Sequence, residues 1–473
     1  MRRVAIFPLA RNTFDVSFAG TLANAATDLV EASGTDMIGS TELILDDAQL
    51  GRALDEVASQ GPPDLVLVLQ TTFTDAGSAL RIAERFGDRP LAIWAFPEPR
   101  EGGRLRLNAF CGLNLAAHAL ARMDRSFGAL YADPNEVSRE VIEDLLNGRL
   151  VPARPPTGPA EVDAISPRAA RAVEAIRGGR IGRIGEHPPG FATCEYDGRN
   201  LDALARVTVE PIALDEVFSA ARSAPDDRVA AVRATAGADC GTLDNVDADE
   251  LDRSLRLACA LEGMRGAGRF DAFAVRCWPE CFTEYGGAMC APVAMMGERR
   301  VPCACEADVY GALTSLLMQA LADEPAFLVD LVDLDRSDDT GVVWHCGQAP
   351  ISMSAGRGNG DGASHAKARA TVHTNRRMAL LYEFALKPGR VTLARISQAG
   401  GAHSLVIMGG EMLARPAPFT GTCGTIRFDR PAGAMQDAIL GYGLEHHTTL
   451  AYGDHRLALR EVAAELALPV VVL

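Results

Sequence analysis

A chain of 473 residues is too long for one core and divides into two or three domains. Apolar residues at 48% and charged residues at 23% are ordinary for a soluble globular protein. The net charge of −16, with no compensating basic run, argues against a nucleic-acid partner, and no stretch approaches the ~18 apolar residues of a membrane span. The first residues carry two arginines and then an apolar run broken at Pro8, too short for a signal-peptide core, so the chain reads as cytoplasmic.

The first 150 or so residues alternate strand and helix signals. Strands are expected at Val4 to Phe7, Asp64 to Gln70 and Pro90 to Ala95. Helical spacing falls at Phe18 to Val30, Leu50 to Ala58 and Ala79 to Phe86. Such alternation predicts a doubly wound parallel sheet. Ligands gather at the carboxyl ends of strands in such sheets, which draws attention to Gln70 to Phe73 and Phe96 to Glu98. Five prolines between Val151 and Pro167 mark the best linker candidate.

A second α/β unit, 168–340, begins its strands near Arg180. Helices follow at Leu214 to Ser223 and Ala248 to Gly266, then a strand from Asp271 to Trp278. After about residue 341, short strands separated by Gly and Pro turns predict a β-rich, small-barrel-like third domain through residue 473. They run from Val342 to Trp344, Ala370 to His373, Ala379 to Leu386, Arg390 to Ile396, Ser404 to Met408 and Gly424 to Phe428. A helix at Arg456 to Leu466 and a terminal apolar strand close the chain. The run from Gly356 to Gly362 follows no clear strand into a helix and reads as a surface loop rather than a nucleotide loop.

The chemistry concentrates in the C-terminal half. Glu306 and Asp308 stand where an apolar-periodic helix begins, and Asp330 interrupts the buried run Phe327 to Val332. An ionised carboxylate on an apolar face is costly unless it is paired or binds a cation. Glu306 and Asp330 therefore form a candidate metal pair, while Asp308 reads as helix N-terminal charge. His345 ends a strand, and His446 and His447 form a late pair. Two carboxylates with one or two imidazoles suit Mn²⁺, Co²⁺, Fe²⁺ or Mg²⁺ better than structural zinc. Cys277, Cys281, Cys290, Cys303 and Cys305 cluster without a standard ligand spacing and read as reduced, buried residues.

On these residues the chain resembles the L-fucose isomerase and L-arabinose isomerase group of metal-dependent aldose–ketose isomerases. Cys305 to Ala312 looks like the fucose-type segment that opens a helix with a metal-binding glutamate. Asp330, 24 residues after Glu306, matches the family's strand aspartate. His447 matches its late histidine. His345 and the His446-His447-Thr448 cluster look arabinose-type.

The resemblance implies a sugar substrate and an ene-diol route. Glu306 and Asp330 would be metal ligands and the acid/base pair, His447 a third ligand, and His345 a fourth ligand or a substrate contact. It implies Mn²⁺ by default, with Co²⁺ or Mg²⁺ as alternatives, and a closed homo-oligomer, often a hexamer in the group. By analogy Arg11, Asn12, Gln70, Trp94 and His446 would line the substrate pocket, where a basic residue could meet an anionic sugar such as a sulfonated one. The same metal site would serve an epimerase or lyase. The fold would also serve a non-catalytic sugar-binding protein, although binding alone needs no acid/base pair.

Overall fold

The computed structural model describes residues 1–241, 243–356 and 367–473. Residues 357–362 of the glycine-rich run, and His365, lie outside the described residues. Three sheets organise the chain. The first contains β1 (Arg3–Leu9), β2 (Asp36–Ile38), β3 (Leu65–Gln70), β4 (Leu91–Ala95) and β5 (Gly128–Tyr131). All are parallel, in the order β2-β1-β3-β4-β5. Every residue of β3 and β4 is buried, which is why both read as unbroken apolar runs rather than alternating ones. The order reverses between β1 and β3, and such a switch point opens a crevice at the strands' carboxyl ends.

The second sheet is parallel as well: β6 (Arg180–Ile184), β7 (Thr208–Ile212), β8 (Ala272–Val275) and β9 (Cys303–Cys305), in the order β7-β6-β8-β9. Helix starts are set by short polar caps. Asp46 accepts from the amide of Gln49, Asp75 from that of Gly77, and Ser166 precedes Pro167 at the first helical turn.

The remaining strands are β10 (Phe327–Asp335), β11 (Thr340–His345), β12 (Arg369–Val372), β13 (Ala379–Ala385), β14 (Gly389–Ser397), β15 (Ser404–Met412), β16 (Thr422–Phe428), β17 (His447–Tyr452) and β18 (Val470–Val472). Six of them close into an antiparallel barrel, β16-β11-β10-β17-β14-β15, sealed by the pairing of β15 with β16. Closure removes the exposed edges that an open sheet of this kind would carry. β13 adds to β16 and β18 to β15 in parallel, while β12 extends β13.

The β-rich region thus begins earlier in the sheets than the change of sequence character near residue 341. β10, with Asp330 at its centre, is a barrel strand and not part of the second parallel sheet. Glu306 also departs from the expected helix start. It lies in the turn after β9, and the helix proper runs from Val309 to Ala322.

The proline-rich stretch has little regular structure, yet it is docked. Gly158 exchanges backbone hydrogen bonds with Val470 of β18. Gly441, in the helix Ala432–Tyr442, packs so closely that a Cβ would stand 2.2 Å from the carbonyl oxygen of Ala153. The obstructing atoms are backbone of Ala153 and Arg154, which cannot swing aside as a flexible side chain would. Gly441→Ala should therefore lower stability by about 1–3 kcal/mol in urea unfolding. An unchanged midpoint would mean that the stretch is held less tightly than this packing implies.

Candidate metal centre and substrate pocket

Asp308 is the hinge of the site. Its Oδ1 accepts the amide of Gly311 at 2.8 Å and so caps the helix Val309–Ala322, as its sequence position suggests. Arg395 of β14 forks onto the same carboxylate, with Nη2 3.0 Å from Oδ1 and Nη1 on Oδ2. The Arg395 side chain is 0% exposed and Asp308 only 1%. Burial alone would raise the Asp308 carboxyl, but Arg395 and His447 hold it well below the usual carboxylate range.

The remaining acceptor capacity of Asp308 orients His447. His447 Nδ1 lies 3.0 Å from Asp308 Oδ2, and because a carboxylate only accepts, Nδ1 carries the proton. Nε2 is left with a lone pair. It stands 3.4 Å from Asp330 Oδ1 and 3.7 Å from Glu306 Oε2. Both His447 Nε2 and Asp330 Oδ1 are buried without a hydrogen-bond partner. Two lone-pair atoms facing each other in a dry site are unfavourable unless something positive lies between them. Ligands held about 2.1 Å from a divalent ion stand roughly 3.0–3.4 Å apart, so the spacing fits a shared cation.

Glu306 and Ala307 both adopt left-handed backbone, with φ of 59° and 57°. The pair re-aims the chain between β9 and the helix and turns the Glu306 carboxylate inward, at the cost of some local strain. Trp278 Nε1 donates to Glu306 Oε1 at 2.9 Å, and His446 Nε2 donates to Oε2 at 3.0 Å. His446 Nδ1 lies 2.9 Å from the Thr193 hydroxyl, which can accept from or donate to the ring. Against burial, the hydrogen bond and charge of His446, with the Trp278 hydrogen bond, hold Glu306 down at about 2. His446 rises above the usual histidine value because Glu306 outweighs its burial.

The two adjacent histidines therefore divide. His446, stacked on His447 at 3.9 Å between ring centroids, is committed to Glu306, and His447 presents the open nitrogen.

His345 differs again. The amide of Cys346 donates to its Nδ1 at 3.0 Å, so a neutral ring carries its proton on Nε2. That nitrogen is buried and unpartnered. As a donor it suits a substrate oxygen, and its place beside Asp330 and His447 also puts it in a grouping whose ligand atoms are close enough to share an ion. A further grouping, Cys194, Asp308 and His447, is less suited to a cation, because Arg395 already neutralises Asp308 and burial keeps the Cys194 thiol protonated.

Glu306, Asp330, His345 and His446 floor a pocket of about 120 Å³ that opens to solvent. Its walls come from the turns after β1 and β3, from the ends of β8, β9 and β11, and from the β12–β13 turn. Of the residues chosen by strand-end position, Arg11 and His446 line it. Asn12 is exposed and Gln70 turns back, donating to Thr72 O at 2.7 Å and Thr74 Oγ1 at 2.9 Å. Trp94 is fully buried in the first sheet, where its indole donates to Ala132 O at 2.9 Å. These three lie elsewhere because strand-end position does not tell which way a side chain points.

Asn108, Trp278, Asn375 and Arg376 line the pocket without having been singled out. Trp278, at the end of a predicted strand, carried the one usable signal. Glu98 does not line the pocket but anchors it, accepting the amides of Leu107 and Asn108 at 2.8 and 2.7 Å. Cys277 and Cys305 are joined in a disulfide, which corrects the reading of that cluster as wholly reduced; the other nine cysteines form no disulfide among the described residues. Among the described residues, no helix is long and apolar enough to cross a membrane.

Arg395→Met would leave the Asp308 carboxylate buried and half-compensated. It should cost about 3–5 kcal/mol in denaturant unfolding. A loss under about 1 kcal/mol would show that the pair does not anchor the site.

Residues 5–151 match the family described as fucose/sulfoquinovose isomerase, N-terminal domain. Over whole chains, the protein is 29% identical to a sulfoquinovose isomerase of Alkalicoccus urumqiensis, covering 100% of this chain and 99% of that one. It is 29% identical to one from Clostridium sp. (strain MSTE9), covering 98% of each, and 27% identical to one from Priestia aryabhattai, covering 95% and 94%. The match of residues 5–151 and the similarity to several curated isomerases along their full length support a relationship to the fucose isomerase-like family and an isomerase activity for this chain.

Proposed function

We propose that the protein is a divalent-metal-dependent aldose–ketose isomerase whose substrate is a sulfonated hexose, sulfoquinovose. The observation that carries the metal is the pair of orphaned, buried atoms, Asp330 Oδ1 and His447 Nε2, beside Glu306 Oε2. Glu306, Asp330 and His447 would hold the ion, and Mn²⁺ suits that donor set, with Co²⁺ or Mg²⁺ as alternatives. The substrate is supported by the names of full-length relatives and by basic side chains in the pocket wall.

Moving a carbonyl between C1 and C2 takes a proton from C2 and returns one to C1, through an ene-diol. When bound, a divalent cation supplies Lewis-acid stabilisation of the charge that develops on the sugar oxygens. The chain's own groups do the rest. Glu306 and Asp330 are the pair that accepts and returns the proton. Trp278 and His446 hold the Glu306 carboxylate in one orientation, so no reorganisation accompanies the transfer. Asp308 keeps the proton of His447 on Nδ1 and its lone pair on the cation side. His345 Nε2–H is placed to donate to a sugar oxygen. No feature of the pocket favours an epimerase or lyase over this reading.

Incubating the Mn²⁺-loaded protein with sulfoquinovose should yield the corresponding 2-ketose by NMR, and EDTA should stop the conversion. Glu306→Gln should lower kcat by about 10²–10⁴-fold or more while leaving the melting curve intact. A C2 epimer or cleavage products would replace the isomerase reading, and near-normal turnover by the variant would remove Glu306 from it.

A further inference from the structure

Two guanidinium groups enter the pocket wall: Arg11 from the turn after β1, and Arg376 from the turn between β12 and β13. Arg11 is half-buried. Its Nη2 is 3.3 Å from Asp75 Oδ2, and its guanidinium carbon lies 5.5 Å from the Phe73 ring centroid and 5.6 Å from that of Trp278.

Arg376 is also half-buried, and its guanidinium has no acidic partner among the described residues. Neither carboxylate of the pocket pairs with it: Glu306 is held by Trp278 and His446, and Asp330 turns its orphaned oxygen to His447. The Arg376 turn is pinned, because His373 Nδ1 accepts the amides of Asn375 at 3.3 Å and Arg376 at 3.2 Å. Burial and the nearness of Arg11 both push the Arg376 proton affinity down, which places two like charges in mutual repulsion.

A half-buried pair of guanidiniums of this kind is relieved by an anion. Their planar forks match the oxygens of a tetrahedral oxyanion. Asp75 cancels one of the two positive charges, leaving a net charge of one. That balance suits a monoanionic sulfonate better than a dianionic phosphate, and a neutral sugar would leave the repulsion unrelieved.

We propose that Arg11 and Arg376 form the subsite for a sulfonate carried by the sugar at the end remote from its carbonyl, so that the pocket selects sulfonated hexoses over neutral and phosphorylated ones. The placement of the carbonyl end at Glu306 and Asp330 rests on the isomerase reading above; the subsite itself does not require turnover.

The test is calorimetric binding of three hexitols that cannot isomerise, 6-deoxy-6-sulfoglucitol, 6-deoxyglucitol and glucitol 6-phosphate, to the Mn²⁺-loaded protein. The wild type should bind the sulfonate at least tenfold more tightly than the neutral compound, and more tightly than the phosphate. In R376Q the sulfonate-to-neutral ratio should fall toward one, with partial recovery in R376K; R11Q should lower it independently. An unchanged ratio in folded R376Q and R11Q, no sulfonate preference in the wild type, or a preference for phosphate would overturn the subsite. A preference lost in R376Q, in a wild type that does not isomerise sulfoquinovose, would keep the subsite and remove the isomerase reading. Isomerisation with the ratio unaltered in both variants would do the reverse.

Discussion

The buried ion pair between Asp308 and Arg395 is the constraint on which the site depends. Removing two charges from water is costly, and their mutual attraction repays it only when the geometry is good and the other lone pairs are satisfied. Here the carboxylate also caps a helix and accepts from His447, while the guanidinium reaches the carbonyl of Thr193 as well. Three parts of the chain are thereby tied at one point: the helix after β9, the barrel strands β14 and β17, and the segment around Thr193 that steadies His446. With that anchor fixed, His447 can present only Nε2 to the pocket, and the orphaned oxygen of Asp330 lies opposite it.

The architecture explains why the pocket has two chemical characters. Its carboxylate and imidazole floor comes from the end of the second parallel sheet and from the barrel, elements joined through Asp308. Its cationic wall comes from the switch point of the first sheet and from the turn between β12 and β13, strands added outside the barrel. A site shared among three sheets can hold acid/base groups and guanidiniums in one cavity without pairing them off, because Glu306 is held by His446 and Trp278 and the orphaned oxygen of Asp330 faces His447. The neighbouring histidines show how far partners decide function: His446, His447 and His345 differ less in burial than in which ring nitrogen is already engaged.

Much of the fold was legible in the sequence. β3 and β4 announce themselves as apolar runs, and the turn-rich tail reads as a barrel-like region. The extent of the barrel was not legible, because β10 is as apolar as a parallel strand and only its partners reveal it. Asp330 stood out because it interrupts an apolar run, Glu306 by its place before a helix, His345 by its place at a strand end and the histidine pair by its late position, and the fold does bring them together. Three things did not show. The left-handed turn at Glu306 leaves no mark in residue type. The pairing of Cys277 with Cys305 cannot be chosen from five clustered cysteines. Arg376 sits on an ordinary polar turn between two strands added outside the barrel, and only the fold shows that it lines the pocket.

The most direct test is anomalous diffraction at the manganese edge from crystals grown with Mn²⁺. A single peak should lie within about 2.0–2.3 Å of a Glu306 carboxylate oxygen, of Asp330 Oδ1 and of His447 Nε2, with His345 Nε2 outside bonding distance. Manganese absent from this cluster, or bound instead through His345 and His446, would contradict the division of roles that the hydrogen bonds imply.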